Sequence, residues 1–259
     1  MSGEFQDKRV VVTAGASGIG RVTADAFLAA GARVYVCDID AKAVQTYQSE
    51  QPAVRTMIAD VAEETQVDKL FDGVAEAFGG IDFLVNNAGI AGPSANIEDC
   101  DPADWDRTLR VNLDSAYLCC RRALPMMKPN RAGCIINMSS SAGLFGFARR
   151  APYVAAKWAI IGFTKTLALE VGAYGIRANA ICPGSVEGDR MDRVIRADAA
   201  ATGRSVEDLR ADAVRDTALK TFVSPRDVAD MILYLCSDSG RRISGQAISV
   251  DAFTYSAGE

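Results

Sequence analysis

Tyr153 and Lys157 stand four residues apart in the run Tyr153-Val-Ala-Ala-Lys157. On a helix that spacing puts both side chains on one face. An ammonium beside a phenol favours the phenolate and lowers the phenol's pKa. A tyrosine starts near 10, so proton transfer near neutrality asks for roughly 3 units, or about 4 kcal/mol. An amphipathic helix can also carry this pattern without any chemistry, and on spacing alone that plainer reading is the stronger. What sharpens the question is an absence: the chain has no histidine. Ser-His-Asp hydrolysis, histidine-dependent dehydrogenation and nearly every catalytic zinc site are thereby excluded, and another group must handle protons.

A second cluster lies near the start of the chain. Thr13-Ala14-Gly15-Ala16-Ser17-Gly18-Ile19-Gly20 follows an apolar run and opens a helical pattern. Glycines there let the backbone turn tightly and let a pyrophosphate approach a helix N-terminus, whose dipole and free N–H groups favour an anion. About 20 residues on, Asp38 ends the second apolar run, where a carboxylate can accept from both hydroxyls of a ribose. It would repel a 2′-phosphate, and no Lys or Arg lies within Ala14–Ile19 to hold one. NAD is therefore expected over NADP; standing alone, Asp38 would read as a strand-end polar residue.

The elements that must position these groups alternate along the whole chain. Strands are expected at Arg9–Thr13, Arg33–Asp38, Val54–Ala59, Phe83–Asn86, Gly133–Met138, Ile176–Ile181 and Ala247–Val250. Helices are expected at about Gly18–Ala30, Ala41–Glu50, Glu63–Phe78 and Pro152–Tyr174, with another opening at Ser224-Pro225. One further helix should run from Asp101-Pro102 to about Leu124, where Pro125 disturbs it. This alternation predicts an α/β fold: a doubly wound parallel sheet of about seven strands, helices on both faces, in a single domain spanning 1–259. The stretch at about 184–220 breaks the rhythm, being charged, partly helical and strandless, which suits a lid over a site.

Composition agrees. Of 259 residues 49% are hydrophobic, enough for a large core, and the net charge of −5 gives no sign of nucleic-acid binding. Seven cysteines, an odd number with no CxxC pair, argue against a disulfide framework or a thiolate zinc site. With no apolar leader and no run of roughly 18 apolar residues, a cytoplasmic protein with no membrane partner is expected.

In order along the chain stand Thr13…Gly18-Ile19-Gly20, Asp60-Val61, Asn86-Asn87-Ala88-Gly89, Asn112, Ser140, Tyr153…Lys157 and Pro183-Gly184. On these motifs, which cover nearly its whole length, the chain resembles a short-chain dehydrogenase/reductase of the single-domain type. The resemblance implies that Tyr153 is the proton donor or acceptor. Lys157 lowers its pKa, aided by the positive nicotinamide of the oxidised cofactor, and holds the nicotinamide ribose. Ser140, selected from Ser139, Ser140 and Ser141 by family spacing, hydrogen-bonds the reacting oxygen. Asn112 holds a water linking Lys157 to solvent. Gly15, Ser17, Gly18, Ile19 and Gly20 carry the cofactor's phosphates and Asp38 its ribose. Asp60 and Val61 lie against adenine, while Asn87, Ala88 and Gly89 border the adenosine ribose. Val186 binds the carboxamide through its backbone. Three positions depart from the pattern: Ala14 where a glycine is usual, Gly188 where a threonine often contacts the carboxamide, and Ala252 after Asp251 where a glycine is usual.

The implied activity is NAD-dependent interconversion of a secondary alcohol and a ketone. Arg150, three residues before the tyrosine, and Arg190 in the lid suggest an anionic small-molecule substrate such as a sugar acid or hydroxy acid. Lid residues Arg193 and Arg196 lie beside Asp189, Asp192 and Asp198, so a solvated helix face accounts for them equally well. Two other functions compete: reduction of a 3-oxoacyl thioester, which usually uses NADPH, and a non-catalytic redox sensor. Family relatives are usually tetramers, and a homotetramer is expected on that ground.

Overall fold

A computed structural model describes residues 3–255. Strand β1 (Arg9–Thr13) explains the architecture in miniature. Val10 and Val12 face one core and Val11 faces another, because side chains alternate across a strand. In β4 (Phe83–Asn86), Phe83 and Val85 join the first core and Leu84 the second. Both faces of the sheet are therefore buried, as parallel strands require.

The remaining strands are β2 (Arg33–Asp38), β3 (Arg55–Ile58), β5 (Gly133–Met138), β6 (Ile176–Pro183) and β7 (Ala247–Val250). They form one seven-stranded sheet in the order β3-β2-β1-β4-β5-β6-β7, every pair parallel. Compared with expectation, β3 is a residue shorter at each end and β6 runs two residues further. Helices α1 (Gly18–Ala29), α2 (Ala41–Glu50) and α9 (Pro225–Cys236) cover the first core, where Phe5, Phe27 and Phe83 pack ring against ring. Helices α3 (Glu64–Phe78), α5 (Ser115–Met127) and α6 (Ala151–Val171) cover the second. The strand order reverses between β1 and β4. That switch point, at the carboxyl edge, is where a crevice opens in this class of sheet.

The single helix expected from Asp101 to Leu124 is in fact divided. Helix α4 (Pro102–Leu109) passes into one π-helical turn, Arg110–Asp114, before α5 begins. Such an inserted residue re-aims side chains, and Asn112 sits within the turn. Pro125 does not end α5, which continues to Met127. Pro125 and Arg121 are on the exposed side, where water can take the carbonyl that proline leaves unbonded. Helix α6 stops at Val171 and a tighter turn, Gly172–Tyr174, leads to Gly175 in the left-handed region. The segment expected to form a lid folds into α7 (Asp189–Thr202) and α8 (Val206–Arg215).

The turn after β1 is tightly packed. A Cβ on Gly20 would lie 2.3 Å from the Ala14 carbonyl oxygen and 2.6 Å from Asn87 Nδ2. Both neighbours are fixed, so Gly20→Ala must push the turn apart. Denaturant unfolding should show a loss of about 1–3 kcal/mol, typical of overpacking. Unchanged stability would mean the turn yields freely.

Candidate active site

The turn between β1 and α1 is held from the far side of the switch point. Asn87 donates through Nδ2 to the Thr13 and Ala14 carbonyls at 3.1 and 3.0 Å. The backbone N–H groups of Asn87 and Ala88 both donate to Thr13 Oγ1 at 3.0 Å. Ala14 is thereby kept at φ 47°, a left-handed conformation that a glycine would adopt without cost. Gly15 presses on Val36, Gly18 at φ 53° faces open space, Ser17 is exposed and Ile19 is half-buried. Helix α1 has neither a side-chain cap nor an acidic residue in its first turn. Helices α2 and α9, by contrast, are capped by Asp40 and by Ser224 with Asp227. The open N–H groups of α1 point at the crevice and suit a pyrophosphate.

Asp38 ends β2 beside this turn and is only 8% exposed. Its Oδ2 accepts the Ala16 N–H at 3.2 Å and its Oδ1 the Asp40 N–H at 3.1 Å. Each carboxylate oxygen keeps a lone pair for a diol. Asp60 holds its own turn by accepting the Ala62 N–H at 2.9 Å. Val61 is buried in the second core, so its backbone alone can reach a ligand. The groups fit a dinucleotide: a bare helix N-terminus, a glycine facing open space and an anchored carboxylate.

The candidate catalytic end is built where β5, α6 and the π-helical turn meet. Lys157 is 3% exposed, and its Nζ donates to the Met138 carbonyl at 2.8 Å. Burial, aided by the positive charge of Arg190, lowers its pKa to about 7. Its Nζ is 5.5 Å from the centroid of the Tyr153 ring. Asn112 is 2% exposed and donates through Nδ2 to the Ile90 and Thr108 carbonyls at 3.0 and 2.9 Å. Its Oδ1 is buried with no partner among the described residues. That oxygen lies 2.7 Å, and Lys157 Nζ 3.4 Å, from the point a Cβ on Gly89 would occupy. An orphaned acceptor beside a buried amine is a seat for a bridging water.

The three consecutive serines separate cleanly. Ser139 is buried and donates to the Lys157 carbonyl at 2.8 Å. Ser141 is buried in the turn that follows. Ser140 alone is half-buried, and its Oγ accepts the Ala142 N–H at 3.1 Å, which leaves its own hydrogen free to donate. After β6, Val186 forms an isolated parallel bridge with Val223. Glu187 N–H and Val223 N–H make its bonds, at 2.9 Å each, so the N–H and C=O of Val186 itself point to the other side.

The arginines divide. Arg150 does not face the crevice as a free cation: its Nη2 donates to Asp198 of α7 at 3.0 and 3.1 Å. Arg190 is exposed at the start of α7 and makes no ion pair among the described residues. Sequence reasoning missed the bracing by Asn87 and the roles of Ser94 and Asp198. Asn87 Nδ2 bonds Thr13 and Ala14, 74 and 73 residues away, and Ser94 bonds Asp198 104 residues away. No local pattern signals such pairs.

The family model described as enoyl-(acyl carrier protein) reductase matches residues 13–252. The chain is 37% identical to a D-beta-hydroxybutyrate dehydrogenase of Cupriavidus necator, over 94% of this chain and 96% of that protein. It is 34% identical to a 3beta-hydroxysteroid dehydrogenase of Mediterraneibacter gnavus, over 96% and 95%. The crystal structure of an NAD+-bound xylitol dehydrogenase superposes with a TM-score of 0.91 at 26% identity, over 95% of this chain and 98% of that one. Sequence, sheet order and site geometry thus lead to one conclusion: the chain belongs to the short-chain dehydrogenase/reductase family.

Proposed function

We propose that this protein is an NAD(H)-dependent oxidoreductase that interconverts a secondary alcohol and a ketone, with Tyr153 as acid/base. The observation that carries the reading is the buried amine of Lys157, fixed on the Met138 carbonyl beneath the Tyr153 ring. Bound NAD supplies the acceptor for the substrate's hydride. Tyr153 takes the hydroxyl proton, and Ser140 donates to the same oxygen. Lys157, with its Nζ 5.5 Å from the centre of the Tyr153 ring, is the positive group that favours the phenolate. A water on Asn112 Oδ1 carries the proton onward to solvent. Gly15, Ser17, Gly18, Ile19 and Gly20 cradle the pyrophosphate. Asp38 takes the ribose, Asp60 and Val61 the adenine, and Val186 the carboxamide. Asn87, Ala88 and Gly89 border the adenosine ribose.

The substrate is a small polar or acidic hydroxy compound. Arg190, whose charge reaches Lys157 and which has no carboxylate partner among the described residues, is the cation that would meet an acidic group. Arg150 is already occupied by Asp198. The segment 184–220 is the lid of a single-domain enzyme spanning 1–259. Trp158 and Leu169 on α6 and Tyr117 on α5 are exposed apolar side chains suited to pairing with a second copy, which supports a homotetramer. Among the described residues no helix is long and apolar enough to cross a membrane. All seven cysteines are free thiols, in keeping with the cytoplasm.

The description of the matching family model favours one rival, a reductase acting on a carrier-bound acyl thioester. A 3-oxoacyl thioester reductase, which reduces a ketone where the enoyl reductase of that description reduces a carbon–carbon double bond, usually takes NADPH, which Asp38 opposes. The complete set of Asn112, Ser140, Tyr153 and Lys157 speaks against a non-catalytic redox sensor. A screen of polar and acidic secondary alcohols, read by absorbance of reduced cofactor, should find turnover with NAD well above that with NADP. The reverse preference would move the assignment to the thioester reductase. With any substrate found, Tyr153→Phe should lower kcat by about 10² to 10⁴, the usual share of general acid–base catalysis. Retained turnover would remove Tyr153 from its role.

Lys157 also makes stability depend on pH. Its pKa is about 7 in the fold against 10.5 in the free side chain. Between those values the unfolded chain holds a proton that the folded chain lacks, so stability rises with pH. Below pH 7 both states are protonated and the cost of the buried charge is present in full. Denaturant unfolding of the wild type, compared with Lys157→Met, should gain stability from pH 7 towards pH 10, whereas parallel curves would mean the amine is well solvated.

A further inference from the structure

Helices α7 and α8 are tied to each other by their own charges. Arg210 of α8 pairs with Asp192 of α7 at 2.7 Å, while Asp212 pairs with Arg204 of the connecting turn and with Arg215 of its own helix at 2.6 Å each. Helix α8 is also held from the body, where Ser185 Oγ donates to the Ala213 carbonyl at 2.9 Å, so α7 is the part whose position a latch would set. At the start of α7, Gly188 adopts φ 123° and ψ 179°, a conformation essentially reserved for glycine, with nothing within 4 Å of a Cβ placed there. A threonine at this position would be strained, which accounts for one departure from the family pattern. The flexibility of glycine stands at the point where the lid leaves the body.

Only one side chain of α7 hydrogen-bonds to the body among the described residues. Asp198 accepts from Arg150 Nη2 at 3.0 and 3.1 Å and from Ser94 Oγ at 2.9 Å. The two donors belong to different loops that are already joined. Ala95 N–H donates to the Arg149 carbonyl at 3.1 Å, and Arg149 Nη2 donates to the Ser94 carbonyl at 3.3 Å. Arg149 sits at φ 64°, which turns it towards one loop and leaves Arg150 facing the lid. Arg150 is the residue immediately before α6, the helix that carries Tyr153 and Lys157. Its side chain is 13% exposed, against 31% for Asp198. When the pair parts, the arginine stays partly buried without its anion while the aspartate gains water, so the closed arrangement is the favoured one.

We propose that Asp198 is the latch of the lid, that Ser94 and Arg150 are its catch and that Gly188 is its hinge. Asp198 is then a positioning residue: it holds α7 over the crevice and refers the lid's position to the first turn of the catalytic helix. The same carboxylate keeps Arg150 from binding substrate, so an acidic group entering there must first displace Asp198. The proposal rests on the dehydrogenase reading only in treating the crevice as the substrate's.

Amide hydrogen exchange on the ligand-free protein tests it. In Asp198→Asn, amides of α7 should exchange about fivefold faster or more, the scale of one lost charge-assisted bond, while those of α3 keep their rates. Ser94→Ala should accelerate the same α7 amides by a smaller factor. Arg150→Met should act as Asp198→Asn does, and the double variant should add nothing to either single change. Unchanged exchange in α7, equal acceleration in α3, or full additivity would each overturn the latch. With any alcohol that is turned over, Asp198→Asn should raise KM by a larger factor than it lowers kcat; the reverse split would also count against it. Exchange needs no turnover, so the latch can fail while Tyr153→Phe still abolishes activity, and the converse is equally visible.

Discussion

A primary amine has been taken almost wholly out of water at Lys157, and much of the molecule is arranged around that act. The amine is not paired with a carboxylate. It rests on the backbone carbonyl of Met138 at the end of β5, and the carbonyl of Lys157 in turn accepts from Ser139. Strand and helix are thus pinned to each other at one residue from both directions. The fit demands missing side chains: a Cβ on Gly143 would come 2.8 Å from the Lys157 carbonyl oxygen, and one on Gly89 3.4 Å from its Nζ. An unpaired buried ammonium is costly, and the cost is met by easier loss of the proton rather than by a carboxylate partner among the described residues. A group that releases a proton near neutrality suits a site whose chemistry is proton transfer in a chain without histidine.

The opposite side of the crevice relies on a neutral interaction. Thr13 and Asn87 lie at the ends of neighbouring strands, and their side chains stitch the two edges together where the sheet changes direction. This brace, rather than the glycines alone, holds the turn open to an anion. It also explains how Ala14 serves where a glycine is usual: the fold imposes the left-handed backbone from outside.

Much of this was legible beforehand because it is periodic. Apolar residues run unbroken through β1 and most of β4, Ser224-Pro225 announces α9, and Gly31 sits just past the end of α1 with a positive φ. Local rules cover such cases. Those rules did not cover the π-helical turn at Arg110–Asp114, since its extra residue answers to the placement of Asn112 against the Ile90 carbonyl. Nor could they tell that Pro125 lies on a solvent-facing side of α5. Spacing drew attention to Arg150 but could not reveal that its anion is Asp198, 48 residues on. Family spacing singled out Ser140 among Ser139, Ser140 and Ser141, and the burial of its two neighbours adds a reason that spacing does not contain. Periodicity encodes elements and faces, whereas partnerships across the sheet edge depend on topology.

The brace by Asn87 has a bearing on how the chain is made. A ribosome delivers the glycine-rich turn after β1 early, yet the side chain that fixes it arrives more than seventy residues later. Until β4 docks, the inner edge of β1 is an unpaired parallel strand, the kind of surface on which growing chains misassociate. Val10, Val11 and Val12 are therefore not enclosed along that edge until β4 arrives.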